Sequence, residues 1–123
     1  ITMLLLLLRT NDTAGRESIT YGYRDLFYIQ TTVIPLPIVV EARNDPCWNE
    51  LVQRESGWRV DATNPTSGAY GLPQSLPPDK MASEGPDWRD NPETQLKWMR
   101  SYIEGRYGTT CKALRFQVRE GWY

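Results

Sequence analysis

The hydrophobic pattern changes character along the chain. It opens on an apolar run, Met3-Leu4-Leu5-Leu6-Leu7-Leu8, closed by Arg9. That run is far short of the roughly 20 residues a membrane-spanning helix needs. It also lacks the basic flank and small-residue cleavage site of a signal peptide. The tail of a cut signal, a strand and a first helical turn all remain compatible with it. Residues 10–20 are polar and read as loop. Residues 21–40 are rich in Tyr, Phe, Ile, Val and Thr, which suits strand better than helix. Pro35 and Pro37 remove backbone donors and confine residues 34–40 to an edge strand or an extended arm. Residues 1–45 are therefore expected to form an extended or β-prone N-terminal arm or linker, and no chemistry attaches to them.

From Asp45 onward the apolar spacing lengthens to three and four. Asp45 is an expected N-cap with Pro46 at the first helical position. Trp48, Leu51, Val52 and Glu55 then share one helical face, and Ser56-Gly57 ends the helix. Residues 58–90 are dense in Pro, Gly, Ser, Asp and Asn and read as a long loop with one or two helical turns. Asn91-Pro92-Glu93 is a second helix start, with Glu93 placed to favour the dipole. Leu96, Met99 and Ile103 form its stripe, Tyr102 adjoins them, and Gly108 is an expected stop. Residues 111–116 have the pattern of a short third helix. The expectation is a mainly α domain over residues 46–123 with a long central loop.

Composition narrows the chemistry. With 14 basic and 15 acidic residues the net charge is -1, and no basic run is present, so a nucleic-acid partner has no electrostatic basis. Histidine is absent, which excludes a His general base, Ser-His and Cys-His pairs, and any imidazole zinc site. Acid–base work near neutrality then falls to Asp, Glu, Tyr, Lys or Cys. Two cysteines, Cys47 and Cys111, are too few for a four-ligand zinc site and form no CxxC motif. They read either as two buried thiols or as one disulfide of a secreted or virion-exposed protein. No metal, nucleotide or organic cofactor is implied.

Glu55 is the strongest chemical candidate. Beside the apolar face of its helix it loses hydration, and at the helix C-terminus the dipole disfavours its charge. Both effects keep a carboxyl protonated, as a general acid toward a glycosidic oxygen requires. Most helix-end glutamates are solvated or paired with a neighbour such as Arg54 or Arg59, so the surrounding motifs decide its reading. Arg54-Glu55-Ser56-Gly57-Trp58 is followed by Asn64-Pro65-Thr66-Ser67-Gly68-Ala69-Tyr70-Gly71-Leu72-Pro73-Gln74. Then come Lys80-Met81-Ala82-Ser83, Asp87-Trp88, Asn91-Pro92-Glu93-Thr94-Gln95, Tyr102-Ile103 and Arg106-Tyr107-Gly108.

In that order and at those spacings, residues 46–123 resemble the soluble lytic transglycosylase family. Within it they are most similar to the transglycosylase-like domains of actinobacterial secreted proteins and phage tail tape-measure proteins. The Glu-Ser pair and Tyr-Gly-Leu-x-Gln are the specific elements. The resemblance implies a lysozyme-like helical fold acting on peptidoglycan glycan strands, outside the cell, at the cell wall or in a phage tail. Glu55 matches the family's single catalytic acid/base, which cleaves the β-1,4 bond from N-acetylmuramic acid to N-acetylglucosamine and leaves a 1,6-anhydro product. Ser56 matches the serine that orients the acid or a sugar, with helix capping as its bland alternative. Tyr70, Gly71 and Leu72 match the groove wall, and Gln74 matches a glutamine whose amide holds an N-acetyl group. Tyr102 matches the helix tyrosine that hydrogen-bonds the catalytic carboxyl. Trp58, Trp88 and Trp98 suit sugar stacking, although tryptophans of so small a domain are more often core.

The resemblance also implies a Cys47–Cys111 bridge, and a monomer is expected. Two departures stand out. Close members carry a histidine-containing tail where this chain has Cys111-Lys-Ala-Leu-Arg-Phe-Gln-Val-Arg-Glu-Gly-Trp-Tyr, and residues 1–45 have no counterpart. Three other readings compete: a hydrolytic muramidase using the same Glu55, a non-catalytic glycan-binding module, and a structural tail protein.

Overall fold

The computed structural model describes residues 6–11, 14–15, 17–23, 27–32 and 37–123. The chain forms two compact units, over residues 1–35 and 36–123. In the first, β1 (Leu6–Asn11), β2 (Glu17–Tyr23) and β3 (Phe27–Thr32) form an antiparallel sheet in sequential order. The register pairs Leu6 with Gly22 and Asn11 with Glu17, then Ser18 with Thr32 and Tyr23 with Phe27. The polar stretch 10–20, read as loop, therefore includes the end of β1 and the start of β2: Thr10 pairs with Ser18. Backbone pairing outweighs polarity there, and a hydroxyl residue costs a strand little. The leucine run enters β1 at Leu6; Met3, Leu4 and Leu5 lie outside the described residues.

The second unit is helical, and it begins before the helix start at Asp45. Helix α1 (Ile38–Asn44) occupies residues that the prolines had suggested were extended. Pro37 precedes the first helical residue, a place where a missing N–H breaks no helical bond. Ile38 and Ala42, one turn apart, are buried in the core, and Glu41 pairs with Arg100 at 3.0 Å. Burial of that short apolar face decides the conformation where local propensity pointed elsewhere.

Helix α2 (Pro46–Ser56) starts where its cap dictates: Asp45 Oδ1 accepts from the Cys47 and Trp48 amides at 2.9 and 3.1 Å. It ends at Gly57 in the left-handed region, φ 59°. A 3-10 helix (Pro78–Glu84) supplies the one regular turn of the long loop. Helix α3 (Pro92–Arg106) is capped by Asn91, whose side chain accepts from the Glu93 amide at 2.9 Å. Helix α4 (Thr110–Glu120) is longer than residues 111–116, because Thr109 caps it and its polar outer face stays solvated.

The core gathers Ile38, Ala42, Trp48, Leu51, Val52, Leu72, Leu96, Met99, Ile103 and Ala113. Trp48 donates its indole N–H to Met99 Sδ at 3.2 Å. Helix α4 contributes only Ala113 to this fully buried set, so apolar burial alone holds it weakly. It is fastened covalently: Cys47 and Cys111 form a disulfide with Cα atoms 4.9 Å apart, joining the first turns of α2 and α4. Beside it, Thr110 Oγ1 donates to Asp45 Oδ2 at 2.8 Å, so one carboxylate caps α2 and tethers α4. Among the described residues no helix is long and apolar enough to cross a membrane.

Replacing both cysteines by serine is expected to lower the unfolding free energy by about 2–4 kcal/mol, the range for a bridge closing a loop of this size. Urea denaturation of the two proteins measures this directly, and an unchanged midpoint would show that α4 needs no covalent fastening.

Candidate active site

The loop between α2 and α3 has little secondary structure to hold it, and one side chain takes that role. Gln95, 0% exposed in the first half of α3, sits under the loop. Its Oε1 accepts from the Leu72 amide at 2.8 Å. Its Nε2 donates to the Trp88 and Val60 carbonyls at 2.9 and 3.1 Å. One amide thus satisfies three segments of loop backbone that would otherwise be buried without partners. Gly71 follows from this: its φ is 80°, and a Cβ there would lie 2.7 Å from Gln95 Oε1. The glycine of Tyr-Gly-Leu is needed so that the loop can close on Gln95.

The other motif residues sort by the same geometry. Leu72 is 1% exposed and belongs to the core. The Tyr70 hydroxyl donates to the Arg89 carbonyl at 2.9 Å, and its ring meets Trp88 edge-on. Tyr70, Gly71 and Leu72, expected at the groove wall, brace the loop and are not among the residues lining the two basins described below. Ser56, 4% exposed, donates back to the Val52 carbonyl at 3.1 Å, within its own helix. It does not face the groove. Trp88 is buried, and Trp58 donates to Asn49 Oδ1 while Arg43 covers its ring, so both are structural.

Glu55, near the C-terminal end of α2, borders a basin of about 450 Å³. Asn64, Gln74, Gln117, Trp122 and Tyr123 share its lining, and Glu55 is the only carboxylic side chain among the lining residues. Burial pushes the Glu55 pKa above the ordinary 4.5, and a hydrogen bond from the Gln117 side chain opposes that rise. Burial also raises Tyr123 well above the usual phenol range, with the Glu55 charge as the next cause. Tyr107 is raised by burial first and by the neighbouring Tyr102 second, with Glu55 contributing least. The Tyr107 hydroxyl and Gln117 Oε1 are buried without a hydrogen-bond partner among the described residues. Such groups are costly and uncommon in native interiors. Both belong to residues electrically coupled to Glu55.

Gln74 lies at the groove in a left-handed conformation, φ 53°. Its Nε2 donates to the Ala62 and Gly71 carbonyls at 2.9 and 3.0 Å, so its Oε1 is what it can offer a ligand. Among the described residues no hydrogen bond joins Tyr102 to the Glu55 carboxyl. The Tyr102 hydroxyl accepts from Arg106 Nη1 at 2.7 Å, and its ring stacks on Trp98 with centroids 5.1 Å apart. Gln117 of α4 hydrogen-bonds the carboxyl instead, and Tyr123 of the tail lies near enough for the Glu55 charge to act on its hydroxyl. Tyr123 is held there by a 2.8 Å hydrogen bond from its hydroxyl to the Pro73 carbonyl, and by ring contacts with Tyr102 and Tyr107.

Sequence reasoning gave no individual role to Gln95 and Arg106, although both stand in the quoted motifs, nor to Gln117 and Tyr123. For Gln117 a signal existed: on a helix starting near 110 it falls one turn after Ala113, on the inward face. No group of His, Cys, Asp and Glu among the described residues is arranged to hold a metal ion. The class thus defined is a small disulfide-bridged helical domain whose groove presents one half-buried carboxyl. No family model, curated protein or solved structure matches the chain.

Two outcomes follow. Gln95→Leu keeps volume but strands the Leu72 amide and the Trp88 and Val60 carbonyls, a loss of about 3 kcal/mol or more in chemical unfolding. A carboxyl raised on folding binds more protons folded than unfolded, so it opposes folding once its proton is lost. Glu55→Gln should therefore gain stability over the native protein as pH rises from 4.5 through the raised value. Melting temperatures of both proteins across that window test this, and a difference independent of pH would show Glu55 to be ordinary surface.

Proposed function

We propose that the protein is a peptidoglycan lytic transglycosylase, with Glu55 as its single acid/base. The observation that carries this reading is a lone, half-buried carboxyl of raised pKa in an open groove with no second acid lining it. Hydrolytic glycosidases ordinarily need a second carboxylate, about 5–5.5 Å away when retaining and about 6.5–9.5 Å when inverting. A nucleophile carried by the substrate removes that need. Glu55 donates its proton to the glycosidic oxygen as the bond from muramic C1 breaks, freeing the N-acetylglucosamine 4-hydroxyl. The muramic C6 oxygen then bonds C1, and its proton passes to the Glu55 carboxylate. The acid is restored, no water is consumed, and the product is the 1,6-anhydro sugar.

The motif resemblance of residues 46–123 supports the same substrate. Gln74 Oε1, on the groove, suits an N-acetyl N–H, and exposed Trp122 suits a sugar face. In this reading the partner is the glycan strand of peptidoglycan. The disulfide matches a site of action outside the reducing cytosol, at the cell wall or in a phage tail.

Incubating purified peptidoglycan with the protein and analysing soluble fragments by mass spectrometry should yield anhydro-muropeptides, absent with Glu55→Gln. Fragments heavier by one water would make it a hydrolytic muramidase. Glycan binding without any cleavage would leave a binding module.

A further inference from the structure

The concave face continues past Glu55. A second basin of about 250 Å³ shares Gln74, Leu76, Trp122 and Tyr123 with the first, so the two adjoin. Its chemistry differs. No Asp or Glu lines it, whereas Lys80 and Arg106 do, beside Trp98 and Tyr102.

Arg106 is held in place there. Its guanidinium carbon lies 5.4 Å from the Trp122 ring and 5.7 Å from both Tyr102 and Tyr107. One N–H is engaged by the Tyr102 hydroxyl. Elsewhere Arg54, Arg100 and Arg119 each pair with a glutamate, but no carboxylate among the described residues comes within ion-pair distance of Arg106 or Lys80. A guanidinium fixed by aromatic faces loses little further freedom on binding, and its fork of donors fits a carboxylate in two-point fashion. The stacked Trp98 and Tyr102 rings give the same basin a flat apolar wall for the carbon chain that carries such a group.

We propose that this second basin is a carboxylate-binding subsite, centred on Arg106 and aided by Lys80, which takes the acidic peptide attached to the glycan whose bond lies at Glu55. This rests on the function proposed above. It goes further in making the protein a reader of peptide-bearing strands over bare ones.

The test uses the intact protein and a free acidic stem peptide, so that binding is read without turnover. Indole N–H signals of Trp98 and Trp122 are followed by NMR during titration with the peptide and with the same peptide amidated at every carboxylate. The acidic peptide should shift both signals and bind about tenfold more tightly than the amidated one, the scale of one charge-assisted contact. The advantage should shrink as salt is raised. Arg106→Gln should abolish it. Lys80→Gln, whose side chain makes no hydrogen bond or ion pair among the described residues, should reduce it with the fold intact. Equal affinity for the two peptides, or a preference that survives both substitutions, overturns the subsite. Cleavage of peptidoglycan with no such preference would leave the enzyme standing and remove the subsite. The preference without cleavage would do the reverse.

Discussion

The Gln95 side-chain amide is the interaction on which the groove depends. A loop of more than thirty residues between two helices has many backbone donors and acceptors and little regular structure to pair them. By bonding Leu72, Val60 and Trp88, Gln95 makes that loop a fixed wall of the domain. Gly71 is required by the same contact, and Leu72 is drawn into the core by it. The position of Gln74 at the groove then follows, since its amide is in turn held by the Ala62 and Gly71 carbonyls. Within the Tyr-Gly-Leu-x-Gln motif, Gly71 and Leu72 meet Gln95 directly, while Tyr70 and Gln74 bond other carbonyls of the same loop.

The opposite wall is built on another principle. Helix α4 contributes only Ala113 to the buried core; a disulfide and the Thr110–Asp45 hydrogen bond fasten its first turn, and the Tyr123–Pro73 hydrogen bond fastens the chain just beyond its end. Covalent and polar fastening suits a wall whose inner residues must remain polar. Gln117 and Tyr123 set the surroundings of Glu55, and apolar replacements that packed α4 better would remove the Gln117 hydrogen bond acting on its carboxyl. The two orphaned polar atoms, on Tyr107 and Gln117, are a local cost of that arrangement, borne by the stability of the rest of the domain.

Both proposals rest on how this surface distributes charge. One basin holds a lone acid whose pKa burial raises, and the adjoining basin is lined by two cationic side chains and by no Asp or Glu. An extended ligand lying across both would meet a proton donor at one point and an anion receptor at the next. The aromatic residues Trp98, Tyr102, Trp122 and Tyr123 supply contact area between them at low cost in side-chain freedom.

The sequence by itself determined the helices that carry their own punctuation. Asp45-Pro46, Gly57 and Asn91-Pro92 mark ends through caps, fixed φ and positive φ, which are local effects readable at single positions. It also singled out Glu55, because proximity to an apolar helical face and a helix C-terminus predicts a raised pKa, and burial raises it. Tertiary structure decided the rest. Residues 38–44 became helix because Ile38 and Ala42 found a core, and 17–20 became strand because β1 lay alongside to pair with them. Likewise the Ser56 hydroxyl turned back into its own helix, Tyr70, Gly71 and Leu72 braced the loop, and Tyr102 bonded Arg106 while Gln117 and Tyr123 approached Glu55. Capping and propensity act within a few residues of chain, where a sequence can be read. Which side chain satisfies a buried amide, or which ring covers an acid, depends on segments distant in sequence, and only packing brings those together.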